Sequence, residues 1–334
     1  MAYESRIVFR KEGHDVFIDY LKGVCILWVV MTHAINPVIH DYTLFCLWGD
    51  MAVPVFLLIQ CVHVYKRDET QKSLNWNKIW LRIIRPFLIL QLLIFMLGLT
   101  VQYLRQKLLT DFVVDFLTQG GKGSGSYYVK MYLEFAILIP LLYPLFKKNS
   151  LVGGAFLILL SAISEIVFSY WDCFILWQWL CLRYLILIYL GFVIARNGID
   201  MNLKTILLSL FSIVAILWFQ YSDIKLSPFF YDNPWKRYHW PIYFYVAFML
   251  LFMLHRLHSF LPKKINSILA VMGKYSYEIF LLQMLVFYVT DMSIRGFALR
   301  YGYIVYGCYM LIVIMASVFP VLWYKQRINS KIHE

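Results

Sequence analysis

The sequence predicts an all-α, polytopic membrane protein with about ten transmembrane helices. Three observations predict it. Of 334 residues, 61% are hydrophobic and only 15% charged. The mean hydropathy is +0.67. Apolar stretches of membrane-spanning length recur from end to end, separated by short polar segments. A soluble domain carries about 25% charge, and ten spans of ~20 residues use roughly 200 positions, leaving only loops and tails. The chain therefore reads as one membrane domain, 1–334, embedded in the lipid bilayer, without a separate soluble part.

Composition also excludes some classes. A net charge of +12 would suggest nucleic acid in a soluble protein, but in a membrane protein Lys and Arg gather in cytoplasmic loops, so no nucleic-acid partner is expected. The cysteines (25, 46, 61, 173, 181 and 308) show neither CxxC nor Cys/His zinc spacing. They read as small core residues, and no metal is expected. The polar start, Met1 to Asp15, runs into a full-length first span, unlike a cleavable leader.

The spans fall at 17–37, 44–65, 79–103, 128–146, 151–170, 178–195, 203–220, 240–258, 266–289 and 302–324. With the N-terminus inside, the cytoplasmic segments hold about twice as many Lys and Arg as the outer ones. Both termini are then cytoplasmic. Two outer loops have character. Gly120–Tyr128 is glycine-rich and reads as flexible, without the spacing of a phosphate loop. Asp232–Trp240 is aromatic and polar, either an interfacial belt or a platform for stacking a sugar.

Ionisable groups within spans are costly, so each is a functional candidate. The first span reads Asp19-Tyr20-Leu21-Lys22-Gly23, then an apolar run to His33. At 100° per residue, Lys22 and His33 fall about 20° apart on one face, with the imidazole ~16 Å further along. One helix face thus carries a cation near the cytoplasm and a histidine near the outside. The third span opens with Lys78, Arg82 and Arg85, a basic stripe suited to phosphate or to lipid headgroups, and Pro86 follows directly. Asp50, Glu134 and Glu165 lie at the depth of His33, and any of them could orient the imidazole, with Asp50 preferred. Asp50 could equally pair with Lys130 or Arg183. Glu278, beside Ser276 and Tyr277, sits near mid-membrane as a partner for Lys22 or an arginine of the third span. His239 is a weaker candidate for an acceptor site.

These residues resemble a known family, the membrane-bound acyltransferases called acyltransferase family 3. The family's first span carries Arg, ten residues, then His; Lys22 to His33 is similar, with Lys in place of Arg. Val53–Gln60 resembles its second-span segment, though Gln60 stands where Ser-Gly is usual. Arg82-Ile83-Ile84-Arg85, followed by Pro86, resembles its Arg-x-x-Arg element. Gly123–Glu134 is similar to the start of the fourth span in capsule-modifying members. Gly273–Leu281 resembles its late Ser-Tyr motif, with Gln283 at a position often His.

The resemblance implies transfer of an acyl group, usually acetyl, from acyl-CoA to a hydroxyl of an extracytoplasmic glycan or lipid-linked sugar. It implies His33 as general base, with Asp50 or Glu134 beside it. Lys22, Arg82, Arg85 and Glu278 would then serve the acetyl-CoA site at the cytoplasmic end of a bacterial inner membrane. The alternative is a proton-coupled transporter or flippase of a sugar or lipid intermediate. That reading expects internal repeats and paired broken helices, and no repeat is evident between the two halves of the sequence. A glycan polymerase would be expected to carry a larger, Arg-rich outer loop.

Overall fold

The computed structural model describes residues 6–7, 9, 15–35, 37–66, 75–104, 113, 121–291 and 303–332. Gly120 of the glycine loop, and several loop cations behind the orientation argument (Arg67, Lys72, Arg105 and Arg295 among them), lie outside these residues.

Helices dominate, and several begin where the sequence supplies a side-chain cap. The carboxylate of Asp15 accepts from Phe17 N at 3.0 Å. Asn75, Asn149 and Asn202 accept from Lys78 N, Val152 N and Thr205 N at 3.0, 3.2 and 3.1 Å. Each cap satisfies an amide that the first helical turn leaves without an intrahelical partner, a contribution of ~1 kcal/mol. The main helices are α1 (Val16–Ala34), α2 (Ala52–Tyr65), α3 (Arg85–Leu104), α4 (Tyr127–Lys148) and α5 (Ser150–Trp171). Then come α6 (Leu185–Asn197), α7 (Leu203–Tyr221), α8 (Leu251–Phe260), α9 (Lys263–Lys274), α10 (Ser276–Asp291) and α11 (Tyr303–Ile332).

Among the described residues, eight helical stretches are long and apolar enough to cross a membrane, or nine if α9 and α10 form one bent span. Two expected spans are interrupted. The stretch 178–195 divides into a short helix Phe174–Trp179, a 3-10 turn Cys181–Tyr184 and the 13-residue α6. The stretch 266–289 breaks between α9 and α10, which meet at 74°. Apolar length alone does not register such breaks. Leu185–Ile188, Leu190–Phe192 and Ile194 are all buried. Non-helical backbone at membrane depth is tolerated where protein surrounds it.

The chain divides into two compact units, each discontinuous in sequence. The first comprises Met1–Ile18, Leu44–Leu74 and Met131–Lys263; the second comprises Asp19–Thr43, Asn75–Lys130 and Lys264–Glu334. In the first, α2 packs on α6 so closely that a Cβ added at Gly191 would overlap Cys61. Tyr65, Tyr143, Phe146, Tyr189 and Phe192 form an aromatic cluster beside that crossing. A two-residue pairing, Arg6–Ile7 with Ile199–Asp200, ties the start of the chain to it.

In the second unit, α1 crosses α9 through two glycines. A Cβ at Gly23 would overlap the Leu269 carbonyl, and one at Gly273 the Asp19 carbonyl. Small residues at a membrane helix crossing let the backbones approach, which is where their packing energy comes from. Further along α1, Val30 and Ala34 share a core with Phe287 of α10 and Tyr306, Tyr309 and Val313 of α11. The Tyr306 hydroxyl donates to the Ala34 carbonyl.

Candidate functional site

The second unit arranges its chemistry around α10. At the start of this helix, the α9–α10 break gathers cations. Gly273 abuts the backbone of Asp19 and Gly23, so Lys274 follows directly beside the turn of α1 that carries Lys22. The Lys22 ammonium lies 3.6 Å from the Asp19 carboxylate, one helical turn away. The Tyr277 hydroxyl donates at 2.6 Å to the carbonyl of Ile83, which stands between Arg82 and Arg85. Lys274 and Lys325 lie 5.6 and 5.3 Å over the ring of Tyr275. Five cations (Lys22, Arg82, Arg85, Lys274 and Lys325) are thus carried by the helical turns that meet at the break, together with two carboxylates, Asp19 and Glu278. The N-terminal amides of α10 add positive potential at the same place.

Glu278 is expected from the sequence beside Lys22 or an arginine of the third span. Its partner is Lys325, 3.3 Å away on α11. Pairing across helices so far apart in sequence has no local signature. Lys274 and Lys325 are functional candidates that sequence reasoning missed, and only the packing of α9, α10 and α11 reveals them.

Arg82 and Arg85 are both exposed. Arg82 belongs to a π-helical turn, Trp80–Ile84, between the turn Trp76–Ile79 and α3. Pro86 explains the widening. Proline has no N–H, and its ring would press on the carbonyl four residues earlier, that of Arg82. A π turn relieves that contact, and such turns recur at functional sites.

The other end of α10 meets His33. The ring of Phe287 packs edge-on against the half-buried imidazole, with centroids 5.7 Å apart. Tyr277, Phe280, Met284 and Phe287 recur every three or four residues and so share one face, with Gln283, three residues after Phe280 and four before Phe287, along its edge. From Tyr277 to Phe287 that face extends ~15 Å, nearly the ~16 Å that separates Lys22 from His33 on α1.

A loop of three glycines closes this end. Gly121, Gly123 and Gly125 adopt φ of +119°, +101° and +86°, a region that only glycine enters without strain. A Cβ on Gly125 would sit 3.2 Å from the Phe280 ring and 3.5 Å from His33 Nε2. The sequence suggests a flexible loop, but three polar clamps hold it. Gln91 mimics a strand neighbour: Lys122 N donates to Gln91 Oε1 at 2.8 Å, and Gln91 Nε2 donates to the Lys122 carbonyl at 3.0 Å. Gln283 Nε2 donates to the Ser124 carbonyl at 3.0 Å. Ser126 Oγ donates to the Gly121 carbonyl at 3.1 Å. Gln91 and Gln283, both buried within apolar helices, are residues whose polarity in a span could have flagged them.

Asp50 and Glu134 belong to the first unit, each with partners there. Asp50 lies in the 3-10 turn Gly49–Met51 and pairs with Arg237; its backbone carbonyl accepts from Tyr238 OH at 3.2 Å. Glu134 Oε2 accepts from Cys181 N at 2.7 Å. Arg183, an alternative partner of Asp50, donates to the Trp177 carbonyl and stacks 4.2 Å over the Trp177 ring.

The loop 222–239 folds inward, so Tyr231, Asn233, Tyr238 and His239 are buried instead of forming an interfacial belt. His239 Nδ1 lies 3.1 Å from Glu165 Oε1 and Nε2 lies 3.2 Å from Asn233 Nδ2. Both ring nitrogens are thereby engaged. Tyr231 OH donates to Asp172 at 3.2 Å. Burial, seconded by the Asp172 carboxylate, pushes the phenol up to about 12, so it remains a donor at neutral pH. Replacing Asp50 with Ala is expected to act on folding, because Arg237 would lose the buried carboxylate that it pairs with. Breaking a buried pair in this way costs about 3–5 kcal/mol. The check is the yield of monodisperse protein in detergent, which should fall sharply; wild-type yield and thermal stability with lost activity would return Asp50 to catalysis.

Comparison with known proteins matches this layout to one family. The profile of acyltransferase family 3, described as an acyltransferase domain, covers residues 15–323. Searches of curated proteins and of solved structures each gave no match. The profile spans most of the chain, including α1 with His33, the arginine-bearing π turn and α10, and the protein therefore belongs to acyltransferase family 3.

Proposed function

We propose that this membrane acyltransferase moves an acetyl group from cytoplasmic acetyl-CoA to a hydroxyl of an extracytoplasmic glycan or lipid-linked sugar, with His33 as general base. The observation that carries the proposal is the single face of α10. It begins at five cations and ends at an imidazole, ~15 Å away. CoA is a polyanion joined to its thioester by a long, narrow arm. Its phosphates suit the cationic end, where guanidinium groups can bind them bidentately. Its arm suits the apolar stripe, and its thioester then reaches His33.

In the transfer, the imidazole takes the proton of the acceptor hydroxyl as the oxygen attacks the thioester carbonyl. The C–O bond forms, the C–S bond breaks, and the departing thiolate receives the proton from the imidazolium. The glycine loop leaves free, for an acceptor beside Nε2, the space that a Cβ on Gly125 would take against Phe280 and His33. The proposed setting is a bacterial inner membrane with both termini cytoplasmic, the side on which acetyl-CoA is made. A bent span such as α9–α10 also occurs in carriers, but this chain's family is an acyltransferase family.

Binding tests the reading directly. Acetyl-CoA should raise the thermal stability of the purified protein in a concentration-dependent way. Arg82→Ala and Arg85→Ala should each need about 10–100-fold more acetyl-CoA for the same stabilisation, the range for losing a charge-assisted hydrogen bond. No stabilisation of the wild type would remove the CoA site. Unchanged affinity in both variants would make the arginines lipid anchors instead.

A further inference from the structure

Gln283 does more than the loop clamp requires. Its side chain is completely buried, and only one half of its amide is used: Nε2 donates to the Ser124 carbonyl, whereas Oε1 has no hydrogen-bond partner among the described residues. Gln91, the other clamp of the same loop, spends both ends of its amide on Lys122. A buried carbonyl oxygen without a donor is unfavourable, and native structures keep few of them without a purpose.

The position of this oxygen is well defined. Gln283 lies on the α10 face between Phe280, which packs on Tyr128 at 5.5 Å, and Phe287, which packs on His33. The amide is held to Ser124, whose chain neighbour Gly125 lies against His33 Nε2. The oxygen therefore sits about one helical turn short of the imidazole, on the side of the cations. No basic side chain lies next to it on the same face, so it suits a neutral donor and not an anion.

We propose that Gln283 Oε1 accepts a hydrogen bond from an amide N–H of the pantetheine arm of acyl-CoA. This inference rests on the reading that acyl-CoA lies along α10. Gln283 is then a substrate-positioning residue. Its Nε2 fixes the loop that borders His33, and its Oε1 fixes the depth of the arm, so that the thioester stops at the imidazole. The arm contains secondary amides whose N–H groups need partners once they leave water, and a buried carbonyl oxygen supplies one without adding charge.

The test compares the two clamps. The concentration of acetyl-CoA giving half-maximal thermal stabilisation is measured for wild type, Gln283→Met and Gln91→Met. Loss of the proposed bond should raise it ~10-fold in Gln283→Met, while Gln91→Met, which loosens the same loop, should stay within about two-fold. Equal shifts in the two variants, or none in Gln283→Met, would reduce Gln283 to a loop clamp and overturn the inference. A wild type that acetyl-CoA does not stabilise would instead overturn the CoA reading beneath it. Should Gln283→Met fail to fold, the wild type answers the question. An acetyl-CoA analogue N-methylated at its pantetheine amides should bind ~10-fold more weakly than acetyl-CoA itself, and equal binding of the two would again overturn the inference.

Discussion

Replacing His33 with Ala is expected to lower acetyl transfer by about 10²–10⁴-fold, the usual contribution of a positioned general base, while stabilisation by acetyl-CoA stays close to wild type. The split between chemistry and binding is the informative part. His33 stands at one end of the α10 face and the cations at the other, so removing the imidazole leaves the end proposed to bind phosphate untouched. The ring packs edge-on against Phe287 and is only half buried. Its loss should therefore cost little in folding. Measured rates of acetyl release and thermal shifts on the same preparation decide the matter. Full activity of His33→Ala would end the assignment of this residue as base.

Replacing Gly273 with Val should abolish folding of the second unit. A Cβ at this position would overlap the backbone carbonyl of Asp19, which cannot swing aside as the end of a flexible side chain can. Overpacking commonly costs 1–3 kcal/mol, and a collision with backbone at a glycine crossing should exceed about 3 kcal/mol, a large part of a typical folding free energy. The crossing also aligns Lys22 with Lys274, so residual folded protein should bind acetyl-CoA poorly. Gly307→Ala is the matched control: nothing lies within 4 Å of the added methyl, and a helix interior gains roughly 0.5–1 kcal/mol from the exchange. Folded yield in detergent should collapse for the first and hold for the second; equal yields would mean that α1 and α9 do not cross so closely.

The spans that could be read from the sequence are those whose cause is local. Val16–Ala34, Phe45–Tyr65 and Leu203–Tyr221 are long, mostly apolar runs, and expectation and structure agree on them within a few residues. The same approach overlooked the breaks near Leu180 and Tyr275. At the second of them an apolar window still runs across the break, while the backbone turns by 74°. The candidate site divides similarly. The shared face of Lys22 and His33 follows from helical geometry within one segment. The contacts of Asp50 with Arg237, Glu134 with Cys181 N and Glu278 with Lys325 depend on which helices meet, and the sequence suggested none of the three.

The glycine loop shows the same division at closer range. Its composition announces unusual backbone angles, and three positive φ values follow. Composition also suggests mobility, yet Gln91 and Gln283 reach it from residues far away in the chain and clamp it beside His33.

By itself, then, the sequence determined that this chain is helical, membrane-embedded and built on the pattern of a family of acyltransferases, because apolar length, capping residues and motif spacing act over a few turns of chain. Only the tertiary structure decided which charges face one another and what stands beside His33. Hydrogen bonds and ion pairs in a dry interior are settled between helices that meet in space, and separation along the chain carries little record of such meetings.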